Sequence, residues 1–477
     1  MAEGQLHFLP LSQLATAIAS KEVTPVEMAR RMLERIERLD PQLHAYFTVI
    51  ADRALADART AEAEIAADRY RGPLHGVPIG IKDLCDTAGV RTTAGTRVMA
   101  GRIPERDATV VARLRKAGAV ILGKLATTEG AYAEHHPDYV PPVNPWNPAI
   151  WTGVSSSGSG VATSAGLCFA SLGSDTGGSI RFPSAMNGLV GLKPTHGRVP
   201  LRGVFPMATS LDHVGPMCRT VLDAAIVLAA IAGRDDEDPT SSCKPTEDYV
   251  AAARAPNGAT RDGRPGLKGV RIGLVAPGAT ADLDPEVCYA VRRAVGQLAD
   301  LGADAVEIAL PSQAEELAAS WVVTCGVEML VAHREYFPSR ADDYGPSLRM
   351  LLEMARAIPA TEYARMHIVR LGFANDLERL FDRVDLIACP SIGVLPPANP
   401  SMLDPGAVAM MGQAMRFTAP FDYSGSPTIS LPCGLGAANG VPLSLQLVGR
   451  HFEEASLLRV GAAYEAATDW HRQHPAI

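Results

Sequence analysis

From about residue 70 onward, short apolar runs of β type alternate with stretches of helical periodicity, and this alternation confines the chain to an α/β architecture with helices packed on a sheet. The run Gly76-Val-Pro-Ile-Gly-Ile81 opens the series, and Val110 to Leu122 reads as helix, glycine, strand. Val270 to Val275 is a strand followed by a helix from about Pro285 to Leu301, and residues 313–385 are mostly helical. Further strands are expected at Asp385–Cys389, Thr428–Leu431 and Leu443–Val448, with a closing helix over Glu453–Ala467. Residues 1–70 read as an N-terminal helical region. Thr24-Pro25-Val26-Glu27 is a capping box with proline at the first helical position, Val26, Ala29, Leu33, Ile36 and Leu39 keep helical spacing, and Pro41 is expected to end the run. A second helix is expected over 51–68. Pro137 to Gly160 is loop-like, Ser159 to Ala170 reads as a helix of small residues, and 233–268 is the best linker candidate. No repeat of 20–50 residues is present, which removes solenoids and propellers.

Composition excludes several function classes. The 477 residues carry a net charge of −8, no basic run and only 5% aromatics, so nucleic-acid binding has no electrostatic or stacking footprint. Ala224–Ala232, the longest apolar stretch of note, is about half a membrane span. The opening residues lack the charge and apolar core of a signal peptide, and the expected location is cytoplasmic. Eight scattered cysteines with no CxxC pair fit reduced, packed thiols. A metal site is not expected: the adjacent His135 and His136 precede a proline, and neighbouring side chains rarely converge on one ion. The chain has seven lysines against 37 arginines, which draws attention to any lysine in an apolar run, since lysine is the cation that loses its proton when buried.

Gly118-Ala-Val-Ile-Leu-Gly123-Lys124-Leu125 nearly matches a phosphate-binding loop but lacks the Ser/Thr for magnesium, and a buried strand explains it better. There is no GxSxG around Ser155, because position 157 is serine. What remains is Gly153-Val-Ser-Ser-Ser-Gly-Ser-Gly160 followed by Gly173-Ser-Asp-Thr-Gly-Gly-Ser-Ile-Arg-Phe-Pro183. The consecutive unobstructed amides of Gly177-Gly178-Ser179 form a nest that suits an oxyanion developing during acyl transfer, or a phosphate.

From Gly153 to Ser184 the chain resembles the amidase signature family position by position. Gly76–Asp83, Gly191-Leu-Lys-Pro-Thr195, Ser210–Pro216, Gly425–Pro432 and Leu445–Gly449 are also similar to that family, so the resemblance covers nearly the whole chain. It implies one large α/β/α domain with a mixed central sheet: residues 1–70 packed on a catalytic domain of 71–477. It also implies a Ser-cisSer-Lys triad, with Ser179 as nucleophile, Ser155 as a bridge preceded by a cis peptide bond and Lys82 as base. Backbone amides of Thr176, Gly177, Gly178 and Ser179 are the implied oxyanion hole, and Asp175 and Arg181 are read as anchors of that loop. Val154 and Ser157 depart from the family by replacing glycines, which adds bulk beside the cis bond.

The chemistry suits these residue types. A serine hydroxyl is a weak nucleophile until its proton is removed, and only a neutral amine at Lys82 can accept it. Val77, Ile79 and Ile81 supply desolvation, and the Asp83 side chain must point away from Lys82. The implied function is a stand-alone hydrolase of a small, mostly uncharged amide, anilide, carbamate or ester, acting as a monomer or homodimer without a cofactor. Glu129–Asp138, with Tyr132 and His135, and the stretch 313–385 are expected to supply the substrate pocket. Two rivals are the glutaminase (A) subunit of tRNA-dependent amidotransferase, which shares the catalytic motifs, and an inactive binding or scaffold protein with the same fold.

Overall fold

A computed structural model describes residues 3–254 and 266–477. Among them, one 11-stranded mixed sheet runs through the molecule, flanked by helices. Its strands are β1 (Tyr46–Val49), β2 (Pro78–Lys82), β3 (Val120–Leu125), β4 (Ala170–Asp175), β5 (Val190–Lys193), β6 (His213–Cys218), β7 (Arg271–Val275), β8 (Asp304–Ile308), β9 (Leu386–Pro390), β10 (Thr428–Leu435) and β11 (Pro442–Val448). The order across the sheet is β1-β3-β2-β4-β6-β5-β10-β11-β9-β7-β8. β2 lies parallel to both β3 and β4, and β7 lies parallel to β8 and β9; the other pairings are antiparallel. β2 and β4 are buried along their whole lengths, as parallel strands covered on both faces must be. Because they run in register from Ile79 against Ala170, their carboxyl ends open at one edge, where ligands of α/β sheets are bound.

After a short helix at Leu11–Ala19 a longer one spans Pro25–Leu43, and the Thr24 hydroxyl accepts from the Glu27 amide at 3.1 Å as the capping box requires. Pro41 does not end it. The helix runs two residues further and stops where His44 turns to φ +54°. Pro41 forgoes one amide bond to the carbonyl four residues before it, but the helix continues past it, and the left-handed residue supplies the stop.

The expected small-residue helix is also shorter than its composition suggests. It covers Ser157–Ser164, Gly166 breaks it at φ +67°, and Ala170 already belongs to β4. β5, β6 and β8 have no clear strand pattern. β6 contains Gly215 and Pro216, and a β-carbon at Gly215 would come within 2.0 Å of the Leu192 carbonyl on β5, so close strand approach explains the glycine. β8 lies at the sheet edge with its first four residues exposed.

The polar segment after residue 233 is fastened to the body and does not behave as a free linker. Asp235 accepts from Arg202, Asp238 from the Leu201 amide, and Tyr249 of the helix Tyr249–Arg254 is fully buried. The stretch 255–265 lies outside the described residues. Among the described residues no helix is long and apolar enough to cross a membrane.

Candidate active site

Lys82 is the last residue of β2 and has no solvent exposure. Its Nζ lies 2.7 Å from Ser155 Oγ, 2.8 Å from Ser156 Oγ and 2.8 Å from Ser174 Oγ. Ser156 also donates its own proton to the Ser174 carbonyl, so toward Lys82 it acts as an acceptor. The Ser155 hydroxyl makes no other hydrogen bond among the described residues and can donate to or accept from the amine.

Burial pulls the Lys82 pKa down to about 7, outweighing the opposing attraction of Cys85, Asp175 and Asp212. Asp83 follows directly in sequence but serves another cation. Its carboxylate accepts from the Thr93 amide at 2.9 Å and hydroxyl at 2.6 Å, and lies 3.5 Å from Lys124 Nζ. Alternation along the extended chain sends neighbouring side chains to opposite faces, which keeps the carboxylate off Lys82. Lys124 itself sits on β3, bonded to the Cys85 carbonyl and the Thr92 hydroxyl, so the glycine-lysine run is a buried strand.

The Val154–Ser155 peptide bond is cis. The chain then enters the helix Ser157–Ser164, pressed so tightly against the body that a β-carbon at Gly158 would lie 2.4 Å from both the Ala126 amide and the Ala45 carbonyl. Ser157 pairs with His135, Oγ to Nε2 at 3.1 Å. His135 thus supports the bridging loop and is not among the residues lining the cavity beside Ser179. His136 accepts the Asp138 amide, so the two neighbouring imidazoles serve different partners.

Ser179 follows β4 and is partly exposed; among the described residues its hydroxyl makes no hydrogen bond to Ser155 or to any other group. Asp175 organises the loop around it, accepting from the amides of Gly178 at 2.7 Å and Ile180 at 2.9 Å. This amends the expected oxyanion hole. The Gly178 amide is already engaged, whereas those of Thr176, Gly177 and Ser179 donate to no acceptor among the described residues. Gly178 has φ +137° and packs under the Phe182 ring, leaving no room for a β-carbon.

Arg181 locks the loop from below. Fully buried, it makes two bonds to Asp175, one to Asp422 at 2.6 Å, and others to the Thr418 carbonyl and Gln446. Burial disfavours the Asp175 anion, but the guanidinium prevails and holds its pKa at about 2. Asp422 goes the other way, raised by burial despite the same guanidinium. Removing Arg181 leaves two buried carboxylates without their cation. Arg181→Met is therefore expected to cost about 3–5 kcal/mol of stability. Urea unfolding checks this, and a loss below about 1 kcal/mol counts against the anchoring role.

Beside Ser179 lies a cavity of about 220 Å³. Tyr132 lines it as expected, with its ring parallel to Trp321 at 6.5 Å between centroids. Trp321 and its neighbours come from the 313–385 stretch, and Val154, one of the two residues at family glycine positions, also reaches the wall. Phe182 and the methionines Met402, Met411 and Met415 were not anticipated as wall residues, nor Asp212 and Asp422 as supports. Phe182 and Asp212 lie inside the signature segments but had no role assigned there, and the others carry no local motif. The lining residues include no charged side chain.

The amidase family model matches residues 27–458, and the chain belongs to that family of hydrolases. It is 45% identical to "Putative amidase AmiD" of Mycobacterium tuberculosis H37Rv, covering 100% of this chain and 97% of the relative. It is 39% identical to the (A) subunit of glutamyl-tRNA(Gln) amidotransferase from Roseiflexus sp., covering 99% of each. Among solved structures, native peptide amidase from Stenotrophomonas maltophilia superposes with a TM-score of 0.82 at 29% identity, over 100% of this chain and 99% of that one.

Proposed function

We propose that the chain is a stand-alone hydrolase cleaving the C–N bond of a small, mostly uncharged amide through a Ser179 acyl-enzyme, with Lys82 as base and Ser155 as the bridge. The observation that carries this reading is a desolvated Lys82 amine 2.7 Å from Ser155, with no carboxylate paired to it. Ser179 Oγ attacks the carbonyl carbon while its proton passes to Ser155, whose own proton moves to Lys82. The free hydroxyl of Ser179 closes this relay by rotating toward Ser155, since catalytic hydrogen bonds tighten when substrate binds. The amides of Thr176, Gly177 and Ser179 receive the oxyanion. On collapse the proton returns through Ser155 to the leaving amine; water, deprotonated by the same route, then releases the acid and restores Ser179. Carbamates, anilides and esters pass through the same kind of tetrahedral intermediate and extend the range. The uncharged cavity wall favours this reading over a glutaminase, which must pair the ammonium and carboxylate of free glutamine.

The test is hydrolysis of neutral p-nitroanilides by the purified chain without glutamine or a partner, with a fluorophosphonate adduct mapped by mass spectrometry. Turnover with labelling at Ser179 is the expected result. Ammonia release from glutamine alone would favour the amidotransferase role, and an inert, unlabelled chain would favour a scaffold.

A further inference from the structure

We infer that one face of the helix Pro405–Met415 measures substrate length, and that Gly412 holds open the mouth through which an elongated apolar group on the amide extends from Ser179 to the surface. The inference rests on the hydrolase reading above and adds the substrate class. Val408, Met411, Gly412 and Met415 all line the cavity. Their spacing of three, four and seven residues places them on one helical face. Val408 is 43% exposed and Gly412 is exposed, whereas Met411 is buried and Met415 partly buried. Met415 reaches the nucleophile loop, since a β-carbon at Gly177 would lie 3.0 Å from its methyl group. The face therefore leads from the nucleophile loop to solvent, about 10 Å at the rise of an α-helix.

Glycine inside a helix costs stability relative to alanine, and here no packing demands it: a β-carbon at Gly412 meets no atom within 4 Å. What glycine does at this position is leave space. The wall also includes the aromatic rings of Tyr132, Phe182 and Trp321, and the methionines of the helix adapt to chains of differing shape. No charged group faces the chain, so the group it holds is apolar, and each methylene it buries is worth about fourfold in binding.

The test compares acetyl, butyryl, hexanoyl and octanoyl p-nitroanilides on the wild-type chain, Gly412→Ala and Gly412→Leu. In parallel, calorimetry follows binding of propanamide and octanamide to the Ser179→Ala form of each. Wild-type kcat/KM is expected to rise with chain length. The octanoyl-to-acetyl ratio is expected to fall at least about tenfold in Gly412→Leu and under about threefold in Gly412→Ala, with octanamide binding weakened in parallel. Should the leucine variant not fold, Val408→Trp obstructs the same mouth one turn away and must give the same selective loss. An unchanged ratio, with all anilides still cleaved, overturns the length-measuring role and leaves the hydrolase reading standing. Octanamide binding that Gly412→Leu weakens, without turnover of any anilide by the wild type, sustains the mouth and overturns the hydrolase reading. Absence of both binding and turnover overturns both.

Discussion

Ser179→Ala is expected to lower kcat on any cleaved amide by about 10⁴–10⁶-fold while the chain folds as before. By the proposed mechanism no acyl-enzyme forms without the Oγ, and what survives is the smaller contribution of the cavity and the free amides of the loop. Folding is spared because the hydroxyl makes no hydrogen bond among the described residues and is partly exposed, so its removal strands no partner. The stability change should stay within about 0.5 kcal/mol. Single-turnover kinetics, with circular dichroism to verify the fold, make the comparison. Undiminished hydrolysis would remove Ser179 as nucleophile.

Lys82→Met should bring a loss of similar size, about 10⁴-fold or more, since it keeps the length and apolar stem of the side chain but removes the base. Lys82→Arg is the sharper control: a guanidinium stays protonated at every accessible pH, so a cation is fixed at this position and proton acceptance lost. The wild-type pH profile follows from the same residue. An ordinary lysine at pH 7 is neutral in fewer than about one molecule in a thousand. Burial brings the Lys82 pKa down to about 7, so about half the molecules hold the free amine there. Only the neutral form accepts a proton, so log kcat/KM should rise with unit slope as pH approaches about 7 from below and level off above it. Full activity maintained down to pH 5 would rule out a lysine base.

The legible part of the site was its contiguous part. Residues 153–183 carry glycines where the backbone is crowded or turned left-handed, as at Gly158 and Gly178, and serines where hydroxyls meet the amine. Asp175 and Arg181, six residues apart, form the anchor anticipated for them. Local pattern misled in two places. Pro41 removes one amide bond of its helix without ending it, the stop coming only at the left-handed His44, and the run Leu167–Ala170 leaves the helix for the sheet because Gly166 turns the chain. Proximity in sequence to Tyr132 suggests a pocket role for His135, yet its imidazole turns to Ser157.

Local residue choice alone determined the α/β alternation, the glycine- and serine-rich loop of 173–183, and a lysine at the end of a buried strand. These are encoded by periodicity and backbone requirements that act over a few residues. Tertiary structure decided the rest: that Asp83 faces Lys124 and leaves Lys82 to three serines, that the Gly178 amide belongs to Asp175, and that Arg181 reaches Asp422 across 241 positions. It also brought the methionine face of residues 405–415 to the same cavity as Tyr132, Phe182 and Trp321. Desolvation, and the sharing of one cation between distant carboxylates, arise only when segments remote in sequence exclude water together, and no local pattern records which segments will meet.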